Sequence, residues 1–318
     1  MAAPTEFAHL HVASSYSLRY GTATPAALAA RAAGLGMSAL ALTDRDGLYG
    51  AFKHVQACAN AGIKPLLGAD LGLRADDRIS RVTLLAAGRR GWASLCRLVS
   101  AAHASAEAGD GDRDRDGNGN GNGVPAVTRE LIAEHADGLV MLLGPASDVG
   151  QAVAARRPDP ARHALARWRH LGVHAVVEIV DHLDHKSTFR AARLAELARD
   201  TRTPAVLTNA VRYLDPVDSL TAQVLDAARH LVPLGSPRLV THNGRAYLAS
   251  QEDMAATARR VAAAMTGPGT ASAATLLLGE TEELTRRCTL DAARDLGVGS
   301  RHLPETKGTA YEIGRAHV

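Results

Sequence analysis

Along most of this chain, short apolar runs alternate with longer segments whose apolar positions recur at helical spacing. The runs "FAHLHV" (7–12), "SALALTD" (38–44), "KPLLGADL" (64–71), "RVTLLAA" (81–87), "GLVMLLG" (138–144), "VHAVVEIV" (173–180) and "PAVLTN" (204–209) read as strands. Between them, "TPAALAARAAGLG" (24–36) predicts a helix with Thr24 as N-cap, Pro25 at the first helical position and Gly34 or Gly36 at the stop. Further helices are predicted over 47–62, 91–105, 159–172 and 187–200. About seven strands, mostly separated by helices, argue for a parallel α/β sheet, and this many units allows closure into a barrel.

Two stretches break the alternation. "EAGDGDRDRDGNGNGNG" (107–123) has Ala108 as its one apolar residue, so it cannot bury enough surface to offset its chain entropy and is expected to be a mobile loop. After residue 214 the texture changes. A helix over 216–231 precedes "RLVTHNGRAYLAS" (238–250), where Asn243-Gly244 between apolar flanks predicts a two-residue hairpin. Helices over 251–265 and 280–294 follow. The expected organisation is a barrel over 1–214, a small α+β extension over 215–305, and a tail over 306–318.

Composition narrows the classes. The chain has 318 residues, 46% of them apolar but only 3% aromatic, so the core is built from Ala, Leu and Val. A formal charge of +3 is small for this length and does not mark a dedicated nucleic-acid binder. Lysine is confined to Lys53, Lys64, Lys186 and Lys307 while arginine is abundant, which suggests a GC-rich bacterial gene. Cys58, Cys96 and Cys288 form no CxxC pair, so neither a zinc knuckle nor a disulfide framework is supported, and a reducing cytoplasm fits. No run approaches the roughly 18 apolar residues of a membrane span, and no signal peptide is visible.

In a parallel barrel the functional side chains gather where the strands end. The strand ends here carry His11, Asp44-Arg45, Asp70, Glu178, Asp181-His182, and Asn209 with Arg212 just after. Imidazoles and carboxylates ringed about one mouth are what a divalent metal cluster requires to activate water for phosphoester hydrolysis. His9 and His11 share a strand face by period-two geometry, which makes them a possible ligand pair. "DHLDH" (181–185) offers a second loop of potential ligands, and His103 a third candidate, placed where a cation suits a helix C-terminus. Ser14, Ser15 and Ser17 have no evident base.

"HLHVASSYSLRYG" followed by "GMSALALTDRDGLYGAFKHVQACANAGIKPLLGADL" resembles the PHP (polymerase and histidinol phosphatase) domain, in the version that opens the alpha subunit of bacterial C-family DNA polymerases. The resemblance continues through "VTLLAAGRRGWASLCRLVSAAH", "ADGLVMLLG", "PAVLTNAVRYLDP" and "AYLASQEDM" to about residue 305. It implies a distorted seven-stranded, TIM-like β/α barrel. It also implies a ligand pattern from which this chain departs. A His-x-His falls on His11 and Ala13, the acid of an Asp-Gly pair on Tyr20, an Asp-His pair on Asp44 and Arg45, a Glu on Asp70, and a late Asp-x-His on Ala210 and Arg212. His11, Asp44 and Asp70, with His9 as a substitute, would be vestigial ligands; Ala13, Tyr20, Arg45, Ala210 and Arg212 are replaced positions. A guanidinium cannot coordinate a metal but can replace its charge through charge-assisted bonds. Arg45 and Arg212 are therefore expected to neutralise Asp44 and Asp70, leaving a structural barrel without a cofactor; a functional site would take zinc, manganese or magnesium.

What the resemblance implies about function is a module of a DNA-directed DNA polymerase (a nucleotidyltransferase), in replication or error-prone synthesis. Its partners would be the other polymerase domains, DNA through the parent chain, and replisome subunits, with no membrane. Polymerase chemistry in that family lies in a palm domain beyond the region resembled, so this piece alone is expected to be inactive. The closing "EIGRAHV" (312–318) back-translates readily as a sequencing adapter and reads as a non-native tail on a gene fragment. Two rivals remain: a stand-alone, metal-dependent PHP phosphoesterase, and an inert partner-binding module.

Overall fold

The structure, a computed structural model, describes residues 7–75, 78–108, 125–239 and 241–300. The tail over 306–318 and nearly all of the segment 107–123 lie outside the described residues. Among the described residues seven strands form one sheet: β1 (Ala39–Arg45), β2 (Lys64–Ala75), β3 (Arg78–Ala86), β4 (Ala126–Val127), β5 (Leu139–Leu143), β6 (His174–Ile179) and β7 (Ala205–Leu207), in the order β1-β2-β3-β5-β6-β7 with β4 on β2. The sheet curls into a distorted α/β barrel. It is mixed where the sequence suggested parallel: β3 runs antiparallel to both β2 and β5. β2 ends and β3 begins only three positions apart in the sequence, too close for the crossover a parallel pair needs, and the two pair antiparallel.

The expected first strand, 7–12, is not a regular strand; it makes a single bridge, Val12 to Val211. It nevertheless closes the barrel. On one side Ala41 N donates to His9 O and Thr43 N to Val12 O; on the other, Ala13 N donates to Val211 O and Val211 N to His11 O. The helices α1 (Pro25–Gly34), α2 (Ala51–Ala61), α3 (Gly88–Ala108), α4 (Arg129–Glu134), α5 (Asp148–Ala154), α6 (Pro158–His170) and α7 (Ser187–Thr201) pack outside. Thr24 caps α1 by accepting from Ala27 N, with Pro25 in the first turn. Gly62 stops α2 in the left-handed conformation.

Beyond the barrel come α8 (Ser219–His230), α9 (Gln251–Ala264) and α10 (Thr270–Cys288). The hairpin expected at Asn243-Gly244 is not formed among the described residues; Asn243 Oδ1 accepts from Arg245 N in a local turn, and a lone bridge joins Tyr247 to Tyr213. The helix expected over 280–294 instead ends at Cys288, having begun at Thr270. Its Leu284 and Cys288 pack with Leu66, Val140, Val176 and Val206, so α10 plugs the bottom of the barrel.

Candidate functional site

Period-two geometry decides which side chains reach the open end. Ala41, Leu66, Leu85, Val140, Val176 and Val206 fill the interior, while their sequence neighbours face the helices. Continuing each parity upward brings Arg45, Asp70, Thr83, Arg81, Gly144, Glu178 and Ala210 to the mouth, around a cavity of about 240 Å³. Asp44, one residue out of phase, misses it. Its buried carboxylate accepts from Ser14 N at 2.7 Å, from Ser14 Oγ at 2.9 and 3.0 Å, and from Ser17 Oγ at 2.7 Å. Burial raises the Asp44 pKa despite these bonds.

Asp70 is held by two guanidiniums. Arg45 Nε donates to it at 3.2 Å and Arg81 Nε at 3.0 Å, and Arg81 also reaches Asp46 at 3.0 Å. Arg212 does not pair with Asp44 or Asp70 as expected. It makes two 3.1 Å bonds to the buried Asp226 on α8, a residue the strand-end reading never reached. Asp226 also binds Arg229 at 2.7 Å and His242 at 2.6 Å. Burial opposes its ionisation, but the His242 and Arg212 hydrogen bonds and the two cations outweigh that and hold its pKa far below the usual carboxylate range.

Tyr20 joins the two ion clusters. Arg45 Cζ lies 3.5 Å from its ring centroid and Arg212 Cζ 3.8 Å, with Arg229 at 5.4 Å. Two guanidiniums this close cannot share a face, so the ring is sandwiched between them, and its π-faces soften their mutual repulsion. Arg212 Nη2 also donates to Tyr20 O at 3.1 Å. Arg45 and Arg212 thus interlock around the tyrosine.

His11 faces Glu178, with Nδ1 2.7 Å from Oε1; Thr208 Oγ1 donates to the same oxygen at 2.6 Å. Burial lowers the His11 pKa, but the Glu178 carboxylate, aided by Asp70, overrides it and the net shift is upward. His9 does not join His11. The chain bends at Leu10, and buried His9 donates from Nε2 to Ala249 O at 2.9 Å, its ring edge-on to Phe7. Burial pushes its pKa down to about 4. Ala13 is buried in the seam, and Ala210 lines the cavity at φ +38°.

The second candidate loop is divided. Asp181 anchors α7 and α9 through Ser187, Thr188 and Arg260 Nε at 2.8 Å; Asp184 pairs with Arg190 at 2.9 Å; His185 is exposed. His182 lines the cavity and donates to Asn209 O at 2.7 Å, while Asn209 Nδ2 holds the carbonyls of Arg245 and Tyr247. His103 donates to Asp46 O at 2.6 Å. Ser14 and Ser17 are spent on Asp44, and Ser15 is exposed.

These donors do not fit the metal cluster that the fold implies. Among the described residues no group of three or more His, Cys, Asp or Glu is placed to hold an ion. The physical reason is local: Asp70 is saturated by guanidiniums, Asp44 by hydroxyls and an N–H, and His11 by Glu178. Arg81 and Thr83 were missed because a parallel β3 would have put them at the far end. The short link between β2 and β3 was the signal that reverses it.

A barrel of this architecture with histidine and carboxylates at its mouth defines the class, and comparison with known proteins places the chain within it. The PHP domain family model matches residues 9–182, more than half of the chain, and the chain belongs to this family. It is 31% identical over 256 residues to the DNA polymerase III subunit alpha of Escherichia coli K12, covering 78% of this chain and 21% of that protein. It is 32% identical over 261 residues to the error-prone DNA polymerase of Mycobacterium bovis, covering 78% and 23%. The chain therefore spans about a fifth of the length of the curated relatives it matches. Among solved structures, an amidohydrolase from Chromobacterium violaceum superposes with a TM-score of 0.45 at 17% identity, over 64% of this chain and 87% of that one. No helix among the described residues is long and apolar enough to cross a membrane.

Proposed function

We propose that the chain is the N-terminal PHP module of a DNA polymerase III alpha-type subunit, cytoplasmic, acting in replication or translesion synthesis, with its barrel mouth converted from a metal centre to a structural ion-pair network. Residues 1–214 would form the barrel of the module, and residues 215–305 the remainder of the PHP region and the start of the connection towards the palm. The observation that carries this reading is an alignment over 78% of the chain with two polymerases from distant bacteria, of which it spans only about a fifth. The Asp70–Arg45 pair supports the loss of metal, because a guanidinium stands where the family pattern places a ligand. On this reading the module supports neighbouring polymerase domains and replisome subunits, and touches DNA chiefly through the parent.

The genomic reading frame downstream tests it. Continuation into a palm domain with paired metal-binding aspartates is expected; a stop codon directly after the natural sequence overturns the module reading. The rival phosphoesterase needs a metal cluster, and among the described residues no group of three or more His, Cys, Asp or Glu is placed to hold one; a phosphatase assay with added manganese separates it, and turnover of small phosphate esters would establish the rival.

A further inference from the structure

Three neighbouring concavities share their walls. The barrel mouth and a smaller hollow of about 200 Å³ have Ala154 and Arg190 in common; that hollow shares Val153, Arg156 and Phe189 with a groove of about 640 Å³ between α5–α6 and α7. The groove carries Arg156, Arg157, Arg162, Arg193 and Arg199, and the hollow adds Lys186. Their acidic neighbours are already engaged. Glu196 takes Arg193 at 2.6 Å as well as Thr266 N and Oγ1, Asp200 takes Arg199 at 3.0 Å, Asp159 takes Arg162 at 3.1 Å, and Asp184 takes Arg190 at 2.9 Å. Arg156, Arg157 and Lys186 are exposed and have no ion-pair partner among the described residues.

An aromatic ring lies in the middle of this charge. Phe189 is 45% exposed, with Arg193 Cζ over its ring at 4.8 Å, which leaves ring surface open to solvent.

We infer that this basic track binds the phosphate backbone of a single-stranded polynucleotide, with Phe189 as a platform on which one base stacks. Unpaired cations on a concave surface gain by releasing the counterions condensed on a strand, and an exposed ring accepts any base because every base has a π-face. An acidic peptide would use the cations but not the ring, so the ring favours the polynucleotide. The inference goes beyond the module reading, which leaves DNA contact to the parent, and it stands or falls independently of the downstream frame.

Fluorescence anisotropy of a labelled oligo(dT) of about 20 nucleotides, titrated with the 318-residue chain at low and moderate salt, tests it. Binding that weakens as salt rises is expected. The double substitution Arg156→Glu, Arg157→Glu should lower affinity by about tenfold or more at unchanged Tm, and Arg286→Glu on α10 should leave it unaltered. Phe189→Ala should weaken the single strand by about fivefold or more while sparing duplex of the same length. An oligo(U) bound more tightly supports the same site with RNA as the strand. Absence of binding at low salt overturns the inference, as does an unaffected double variant. So does displacement by polyglutamate combined with an indifferent Phe189→Ala, which would make the track an acidic-peptide surface.

Discussion

At the scale of single residues, Arg45 and Arg212 flank one tyrosine but differ in what their loss leaves behind. Arg45→Ala leaves Asp70 bound to Arg81 Nε at 3.0 Å and removes one stacking partner of Tyr20, an expected cost of about 1 kcal/mol. Arg212→Ala removes two hydrogen bonds to Asp226, the bond to Tyr20 O and the other stacking partner, while Asp226 keeps Arg229 and His242, and should cost about 2 kcal/mol. Urea unfolding checks the order, and equal costs would contradict it. The buried histidines set the acid side of stability. His9 and His54 both have pKa values pushed down to about 4 from an unfolded value of 6.5, so the unfolded chain binds more protons between these limits. Their contribution is intact above pH 6.5 and is lost as pH falls towards 4, by about 3 kcal/mol each. His11 has the opposite sign: its raised pKa gives a contribution that is full below the unfolded value and lost as pH rises through the folded one. His54→Gln, which keeps a donor for Leu40 O, should flatten the acid limb of the pH–stability curve by about one proton. The residue pattern pointed to Arg45 and Asp70 because strand ends are readable. It put Asp44 and His9 in the wrong place because parity and a one-residue bend decide which side of the wall a side chain occupies.

Between secondary-structure elements, local chemistry was readable and partner choice was not. Thr24-Pro25 and Gly62 fixed the limits of α1 and α2 from the sequence, since caps act within a turn. The reversal of β3 and the missing hairpin at Asn243-Gly244 depend on what each strand finds beside it. There Asn243 Nδ2 is drawn off to His182 O at 2.6 Å. The start of α10 was obscured by Gly279, which reads as a break but sits inside the helix with nothing near its missing side chain. Gly279→Ala should therefore stabilise the protein by about 0.5–1 kcal/mol. Gly21→Ala should do the reverse: its new Cβ would run into the Ser14 carbonyl, in the loop that presents Tyr20 to the arginines. A loss of about 3 kcal/mol is expected, because backbone cannot step aside as a side chain tip can. Thermal or urea denaturation of the pair reads both signs, and a destabilising Gly279→Ala would refute the account of α10.

Across the whole molecule, the barrel is closed at the bottom by α10 and at the seam by residues 7–13, and its open mouth is tied together by ion pairs. A metal centre would tie the strand ends together by coordination; here Arg45 and Arg81 join β1 to β3 through Asp70, and Arg212 joins the end of the β7 segment to α8 through Asp226. The two designs respond differently to divalent ions. An ion that binds only the folded state adds RT ln(1 + [L]/Kd), about 2.7 kcal/mol at a hundredfold excess over Kd, which for a chain of this size raises Tm by about 4 °C. Manganese or zinc would have to displace a guanidinium from Asp70 and the His11 imidazole from Glu178 before coordinating either carboxylate, and each exchange separates a half-buried basic group from its carboxylate. The wild-type chain is therefore expected to show no rise in Tm with millimolar manganese or zinc, and no loss on treatment with a chelator. Arg45→His tests the same point from the other side, since it frees one oxygen of Asp70 and supplies an imidazole at the position where the family pattern has one. A wild-type Tm that climbs with manganese and saturates would mean that the arginines yield to the ion and that the mouth is still a metal centre.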